Sequence, residues 1–111
     1  MLDIYIDRLS PNQAEIVSLI TDYLDGLPGI ERRWRWSVPC YFRRKLLCYI
    51  NAVKGDGIEF CFMNGYLMDI EDKRLLAKGR ARVKGISIID PRDIDWALVQ
   101  LCIDLALELD E

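Results

Sequence analysis

The chain has 111 residues, of which 51% are hydrophobic and 30% are charged, with a formal net charge of -3. This length and apolar content predict one globular domain over residues 1–111 and exclude intrinsic disorder. The longest apolar run, residues 46–50, is far shorter than the roughly 20 residues that cross a bilayer, so no membrane segment is expected. Residues 1–8 carry two acids and do not resemble a signal peptide, so a cytoplasmic location is expected.

The first third of the chain predicts a helix. Residues 2–8 form an irregular or helical lead-in, and the helix itself begins after Ser10. The Ser10 hydroxyl can cap free N–H groups, Pro11 suits the first helical position, and Gln13 completes a capping box. Gly26 ends the helix. The apolar face consists of residues at helical spacing: Ile16, Leu19, Ile20, Tyr23, Leu24 and Leu27.

The rest of the chain predicts a sheet followed by a second helix. Strands are expected at residues 31–36, 46–53, 58–63 and 80–89, with a hairpin turn at residues 54–57. Residues 43–45 are interpreted as a solvated turn, and residues 66–78 as a loop with a short helical turn. The last helix is predicted to start at residues 90–93. This order indicates a two-layer α+β domain, with an antiparallel sheet of three to five strands and the N- and C-terminal helices on one face.

Several common chemistries are excluded by residue type. The chain contains no histidine, which removes the usual triads and the commonest general base near neutral pH. Its four cysteines form no closely spaced pair, so neither a zinc site nor a disulfide framework is predicted. We interpret them as reduced, structural residues, and because no nucleophile–base pair can be assembled, an enzyme is disfavoured.

Charge is segregated along the chain. Residues 32–89 hold thirteen basic and five acidic side chains, whereas residues 90–111 hold one basic and seven acidic side chains. The segment before them, residues 1–31, holds one basic and six acidic side chains. Carboxylates without thiolate or imidazole suit hard cations, including weakly held Fe(II), although a solvated helix face is the simpler interpretation. The candidate metal ligands are Asp104 and Glu108, one turn apart on the last helix, and Asp22 and Asp25 on the first.

Aromatic and basic residues alternate in the middle of the chain. Such a pattern on a sheet can stack bases or planar ligands, although core and edge-strand packing explains it better. The candidate ligand-binding residues are Trp36, Pro39, Tyr41 and Lys45. No nucleic-acid partner is expected, because the acidic helices would repel a polyanion.

A set of short motifs in a fixed order resembles the YdhG-like family of unknown function. The core of the resemblance is residues 34–41 (WRWSVPCY) and 45–50 (KLLCYI), which match the pattern W-G-x-P-x-Y followed by K-x-L-C-Y. Residues 5–11 (YIDRLSP), 62–65 (FMNG) and 94–95 (ID) match further family segments. The resemblance implies a compact α+β domain, and some bacterial members are described as frataxin-like iron chaperones. Ser37 stands where the family usually has Gly.

Two functional hypotheses therefore stay open, both without catalysis. One is a frataxin-like iron-binding protein that uses the helix carboxylates and delivers iron to an acceptor protein. The other is a small-ligand or protein-binding module with a pocket around Trp36, Pro39 and Tyr41.

The last helix also predicts a homodimer. It is apolar over roughly 240° of its circumference, which is more than a helix on one sheet needs. Trp96, Val99, Ile103 and Leu107 form a stripe opposite Ile94, Leu98, Leu101 and Leu105. One stripe faces the sheet, and the other meets either the first helix or a second subunit. Because the first helix also needs its own apolar face over the sheet, a homodimer is expected, with Trp96 and Val99 near the interface.

Overall fold

The computed structural model describes residues 1–53 and 55–110. The helices within this part of the chain are α1 (Leu2–Asp7), α2 (Pro11–Asp25) and α3 (Trp96–Leu109). The strands are β1 (Glu31–Arg35), β2 (Val38–Phe42), β3 (Leu46–Ala52), β4 (Ile58–Phe62), β5 (Leu75–Leu76) and β6 (Lys84–Ile88). The hairpin turn predicted at residues 54–57 includes Lys54, which lies outside the described residues.

The strands form one antiparallel sheet in the order β1-β2-β3-β4-β6-β5. The α+β class and the antiparallel sheet are confirmed, but the expected count of three to five strands is wrong, because the sheet has six strands within residues 1–53 and 55–110. Strand β2 was missed because Pro39 lies within it. Pro39 has no N–H to donate, and the paired residues between β2 and β3 begin one position later, at Cys40 and Tyr49.

Several predicted boundaries shift. The first strand ends at Arg35 rather than Trp36, because Trp36 and Ser37 form the turn of the β1–β2 hairpin. The strand predicted over residues 80–89 is shorter, at Lys84–Ile88. The loop predicted over residues 66–78 contains β5 and begins within a 3₁₀ turn at Gly65–Leu67, which overlaps the predicted loop and agrees with the short helical turn expected there.

The two long helices begin with side-chain caps. The predicted capping box of α2 is confirmed, since the Ser10 hydroxyl accepts from the Gln13 N–H at 3.1 Å and the Gln13 side chain accepts from the Ser10 N–H. The predicted start of the last helix is wrong. Residues 91–93 form a separate 3₁₀ turn, and α3 begins at Trp96 after the side chain of Asp95 accepts from the Leu98 N–H.

All three helices pack against one face of the sheet, which we call the helix-covered face. This face is lined by Tyr41, Cys48, Ile50, Ile58, Phe60, Phe62, Ile86 and Ile88, in one cluster with buried residues of α2 and α3. The opposite side is the helix-free face. It carries Arg33, Arg35, Cys40, Phe42, Tyr49, Glu59, Cys61 and Ser87, which alternate with the core residues along the strands.

The two apolar stripes of α3 are largely covered within the protomer. Val99 and Ile103 are each 2% exposed and belong to the core cluster, while the Trp96 ring lies 5.2 Å from the ring of Tyr23 on α2. Of the two alternatives for the second stripe, the structure shows contact with the first helix, because α3 packs against α2 as well as the sheet. A homodimer through this helix stays a prediction, but an uncovered apolar stripe no longer supports it.

Candidate functional site

The candidate carboxylate ligands lie on two helices. Asp104 and Glu108 are exposed on α3, and Asp22 is exposed on α2. Asp25 is already engaged: it forms an ion pair with Arg32, and the Tyr41 hydroxyl donates to it at 3.1 Å. Across residues 1–53 and 55–110, no group of three acidic or cysteine side chains is arranged to hold a metal ion. The structure thus does not assemble the four carboxylates into one site, and Fe(II) binding stays a prediction.

The candidate ligand-binding residues do not form one pocket either. Pro39 lies opposite Trp34, and Tyr41 lies opposite Cys48, which puts both on the helix-covered face. Trp36 lies over the other face, where its ring is 5.6 Å from that of Tyr49. The predicted pocket around Trp36, Pro39 and Tyr41 is therefore corrected, because the sheet separates Trp36 from the other two residues.

Lys45, the fourth candidate, is remote from Trp36. It lies in the turn between β2 and β3, at the opposite end of β2. Its backbone N–H and that of Arg44 both donate to Asp110 at 2.9 Å, and the Arg43 Nε donates to the same carboxylate at 3.0 Å. These bonds lower the pKa of Asp110 below its ordinary value even though burial opposes its ionisation. The turn predicted to be merely solvated instead anchors the end of α3.

What the sheet does assemble around Trp36 is a surface of arginine and aromatic side chains. We call it the aromatic–arginine surface, and it consists of Arg33, Arg35, Trp36, Phe42 and Tyr49. The Arg35 guanidinium lies 5.5 Å from the Trp36 ring centre and 5.8 Å from that of Phe42. Arg33 lies 5.3 Å from the Phe42 ring centre. These distances are typical of cation–π contacts, which attract the guanidinium groups to the faces of the rings.

The turn at the end of this surface has an unusual backbone. Trp36 and Ser37 have φ values of 55° and 60°, the left-handed conformation of a two-residue hairpin turn that favours Asn and Gly. Left-handed geometry costs about 1 kcal/mol or more for a residue with a side chain. The same conformation explains why glycine suits the position of Ser37. The turn leaves the Trp36 side chain 61% exposed.

A buried polar cluster lies beside this surface on the same face. Glu59 is 4% exposed, and its carboxylate binds Arg80 through two hydrogen bonds, of 2.9 and 2.7 Å. Lys78 lies 3.5 Å from the same carboxylate. Burial opposes ionisation of Glu59, but the Arg80 hydrogen bonds outweigh it and lower the pKa of the carboxyl group. Gly85 makes the room, since a Cβ there would come within 2.5 Å of the Glu59 carboxylate.

The neighbouring thiol and phenol in this cluster are not activated. The Arg80 Nη1 lies 3.8 Å from Cys61 Sγ, and Cys61 is fully buried. Burial raises the pKa of Cys61 to about 12 and that of Tyr49 to about 12. Neither group ionises near neutral pH, so this cluster offers no ready nucleophile or base.

Sequence reasoning missed this cluster because its members are distant along the chain. Arg80 lies 21 residues from Glu59, and only the pairing of β4 with β6 brings their segments together. The available signal was Glu59 itself, a lone acid within an otherwise apolar strand. A buried carboxylate needs a cationic partner, so Glu59 at that position indicated that a distant Arg or Lys side chain must lie beside it.

A groove runs beside the edge of the sheet on the helix-covered face. It has a volume of about 190 Å³ and is lined by Met1, Ile4, Tyr5, Arg8, Trp34 and Ser37. We call it the α1 groove. The Tyr5 ring lies 5.6 Å from the Trp34 ring, and Met1 and Ile4 are 76% and 57% exposed. The groove therefore presents apolar side chains directly beside β1.

Comparisons with protein-family models, with curated proteins and with solved structures find no match for this chain. The resemblance to the YdhG-like family thus stays a prediction. Within the described residues, no helix is both long and apolar enough to cross a lipid bilayer.

Proposed function

We propose that the protein is a non-catalytic binding module that recognises an acidic segment of a partner protein through the aromatic–arginine surface. The observation that carries this proposal is the exposed Trp36 on a strained turn, flanked by Arg35. Tryptophan, tyrosine and arginine are the residues that most often dominate protein–protein binding energy. A single exposed apolar residue is ordinary, but this one is held in place by Tyr49 and Arg35.

The charge of this face determines the kind of partner. Arg33 and Arg35 are both exposed, and Lys78 and Arg80 lie farther along the same face. Glu59 is buried beneath Arg80, and Glu31 is paired with Arg33 at 2.8 Å. A partner that supplies carboxylates would therefore meet opposite charge, and its apolar or aromatic side chains could stack on Trp36.

The backbone of the turn supports a binding role. An Asn-Gly turn would close the same hairpin with less strain, but it would not present an indole ring. Strained backbone with side chains in the left-handed region is concentrated at functional sites. Both Trp36 and Ser37 have this conformation, whereas the turn between β2 and β3 has no residue with positive φ.

Amide chemical-shift mapping with an acidic peptide tests this proposal. The probe is a peptide of alternating Glu and aromatic residues, and the control peptide has each Glu replaced by Gln. We expect shifts confined to residues 33–42 and to Tyr49, with the Glu peptide binding more tightly than the Gln peptide. Shifts on α2 and α3 alone, or equal affinity for the two peptides, would contradict the proposal.

Substitution of the arginines gives the matching test on the protein side. Arg33→Gln and Arg35→Gln together should weaken binding of the Glu peptide by about tenfold or more, a typical effect of losing charged contacts with a partner. The control is Lys73→Gln together with Arg92→Gln, which also removes two exposed positive charges, one before β5 and one in the turn before α3. Equal weakening by the control would show that only net charge matters.

A further inference from the structure

One side of the sheet ends in a strand that is available for pairing. Strand β1 is the first in the sheet order and pairs only with β2 within the described residues. Arg35 and Val38 close a two-residue turn, so they form a hydrogen-bonded pair, and such pairs alternate along an antiparallel ladder. The N–H and C=O groups of Arg32 and Trp34 consequently point away from β2, toward the free edge.

We infer that a second copy of this chain pairs with that edge, β1 against β1, antiparallel and centred on Arg33. In this register Arg32 of one copy lies opposite Trp34 of the other, and each such pair exchanges two hydrogen bonds. The two strands thereby satisfy all the outward-pointing backbone groups of residues 32 and 34. The result is one continuous sheet through both copies with a two-fold axis at Arg33.

Side-chain charge favours this register over the one that places Trp34 opposite Trp34. Glu31 of each copy lies opposite Arg35 of the other, which places opposite charges together on the helix-free face. On the other face, Arg32 lies opposite Trp34, a cation–π arrangement. Shifting one strand so that Trp34 faces Trp34 would instead place Arg33 against Arg35 twice.

The one like-charged pair in this register is partly neutralised within each copy. Arg33 meets its own counterpart at the axis, but each Arg33 is bound to Glu31 at 2.8 Å. Arg32 is likewise paired with Asp25. Charges on an edge strand normally prevent pairing with unrelated strands. Here their order permits pairing with a copy of the same strand.

The α1 groove gives a second, independent reason for a partner at this edge. The groove includes Trp34 of β1 together with Ile4 of α1 and Met1, which precedes this helix; Met1 and Ile4 are 76% and 57% exposed. Exposed apolar surface beside a free strand edge favours association, because a second copy would cover both. This inference does not depend on the proposed function.

Sedimentation equilibrium at micromolar concentration tests the inference with a pair of substitutions at one position. Arg32→Pro removes the outward N–H without affecting the bonds between β1 and β2, and Arg32→Ala keeps that N–H while removing the same side chain. We expect wild type and R32A to sediment at twice 12.9 kDa. The dissociation constant of the R32P dimer should be at least about tenfold higher than that of wild type. A wild type of 12.9 kDa throughout, R32P as dimeric as wild type, or R32A as dissociated as R32P would each overturn the inference.

Charge exchange tests the register even if R32P fails to fold. Glu31→Arg or Arg35→Glu alone should weaken the dimer, and the double variant should restore it, because the pair across the interface is then reversed. Absence of restoration would overturn the register. Leu101→Glu, at a residue of α3 that is 46% exposed, is the control and should leave the dimer intact, whereas dissociation by L101E would place the interface on α3 and overturn the inference.

Discussion

The helix-covered face and the helix-free face of the sheet bury their side chains by different means. On the helix-covered face, Phe60 and Phe62 are fully buried with ring centres 4.7 Å apart, and α2 and α3 exclude the solvent. On the helix-free face, Glu59 and Cys61 are also buried, but no helix of the described residues lies over them, and the Arg80 side chain contacts both. One face is thus closed by whole elements of the fold and the other by individual side chains.

This difference leads us to assign the stability of the fold to the helix-covered face and the binding of a partner to the helix-free face. Hydrophobic burial is the largest favourable term in folding, and nearly all of it lies on the helix-covered face. The helix-free face can therefore expose Trp36 and carry closely spaced arginines without loss of the hydrophobic burial on the other face. The experiments below test whether the two faces differ in this way.

The largest expected effect compares two phenylalanines on opposite faces. Phe60→Ala should lower the free energy of unfolding by about 3–5 kcal/mol, because it leaves a cavity in the core. Phe42 is half-buried on the helix-free face, so Phe42→Ala should cost only about 1 kcal/mol. Urea denaturation of both variants measures the difference. Equal losses would show that the helix-free face is as much a core as the other.

A smaller effect is expected at Asp110, which ties α3 to the turn between β2 and β3. Asp110→Asn should cost about 1–2 kcal/mol at neutral pH, since it removes charge-assisted hydrogen bonds from Arg43, Arg44 and Lys45.

The pH dependence of this effect has a definite sign. The pKa of Asp110 is lowered in the folded state, so its contribution is fully present above the ordinary carboxyl pKa of about 4. The contribution is lost as the pH falls from there through the folded-state pKa. Urea denaturation at several pH values should show that wild type and D110N converge in acid, and a constant difference down to the lowest pH would contradict this account.

The smallest effect is kinetic and concerns the cysteines. All four are buried, and burial raises the pKa of Cys102 to about 11 and that of Cys61 to about 12. A thiol reagent should therefore label them slowly in the native protein and rapidly in denaturant. Arg80→Ala should selectively accelerate labelling of Cys61, because the Arg80 side chain covers it, and leave Cys102 unchanged. Rapid labelling of two or more cysteines in the native wild type would contradict their structural role.

The parts of the fold that the sequence predicts are those set by local rules. The capping box at Ser10 and Gln13 and the helical spacing of Ile16, Ile20 and Leu24 depend on residues within one or two turns. Strand β2 was missed because Pro39 argues locally against a strand, and only the sheet shows that its missing N–H falls at the end of a ladder. Local rules also misplaced the start of α3, because Asp90 and Asp95 are both suitable caps.

The candidate site was harder to predict because it depends on which face each residue occupies. Trp36 was identified from its type, but it was grouped with Pro39 and Tyr41 as if the chain ran straight through residues 34–41. The left-handed turn at Trp36 and Ser37 reverses the chain and places the indole ring beside Tyr49 instead. The alternation of side-chain types along residues 34–41 cannot reveal such a reversal. The geometry of the turn sets the pairing register of the hairpin, and with it the face on which each side chain lies.

The most direct test of the central claim compares the affinity of the acidic peptide for variants at two tryptophans on opposite sides of the sheet. Trp36 belongs to the aromatic–arginine surface, and Trp96, which is 38% exposed on α3, is the matched control. Calorimetric titration should show that Trp36→Ala weakens binding by about tenfold or more, as expected for a dominant interface residue. Trp96→Ala should leave the affinity within about twofold of wild type. Unchanged binding by W36A, or equal weakening by W96A, would contradict the assignment of recognition to the helix-free face.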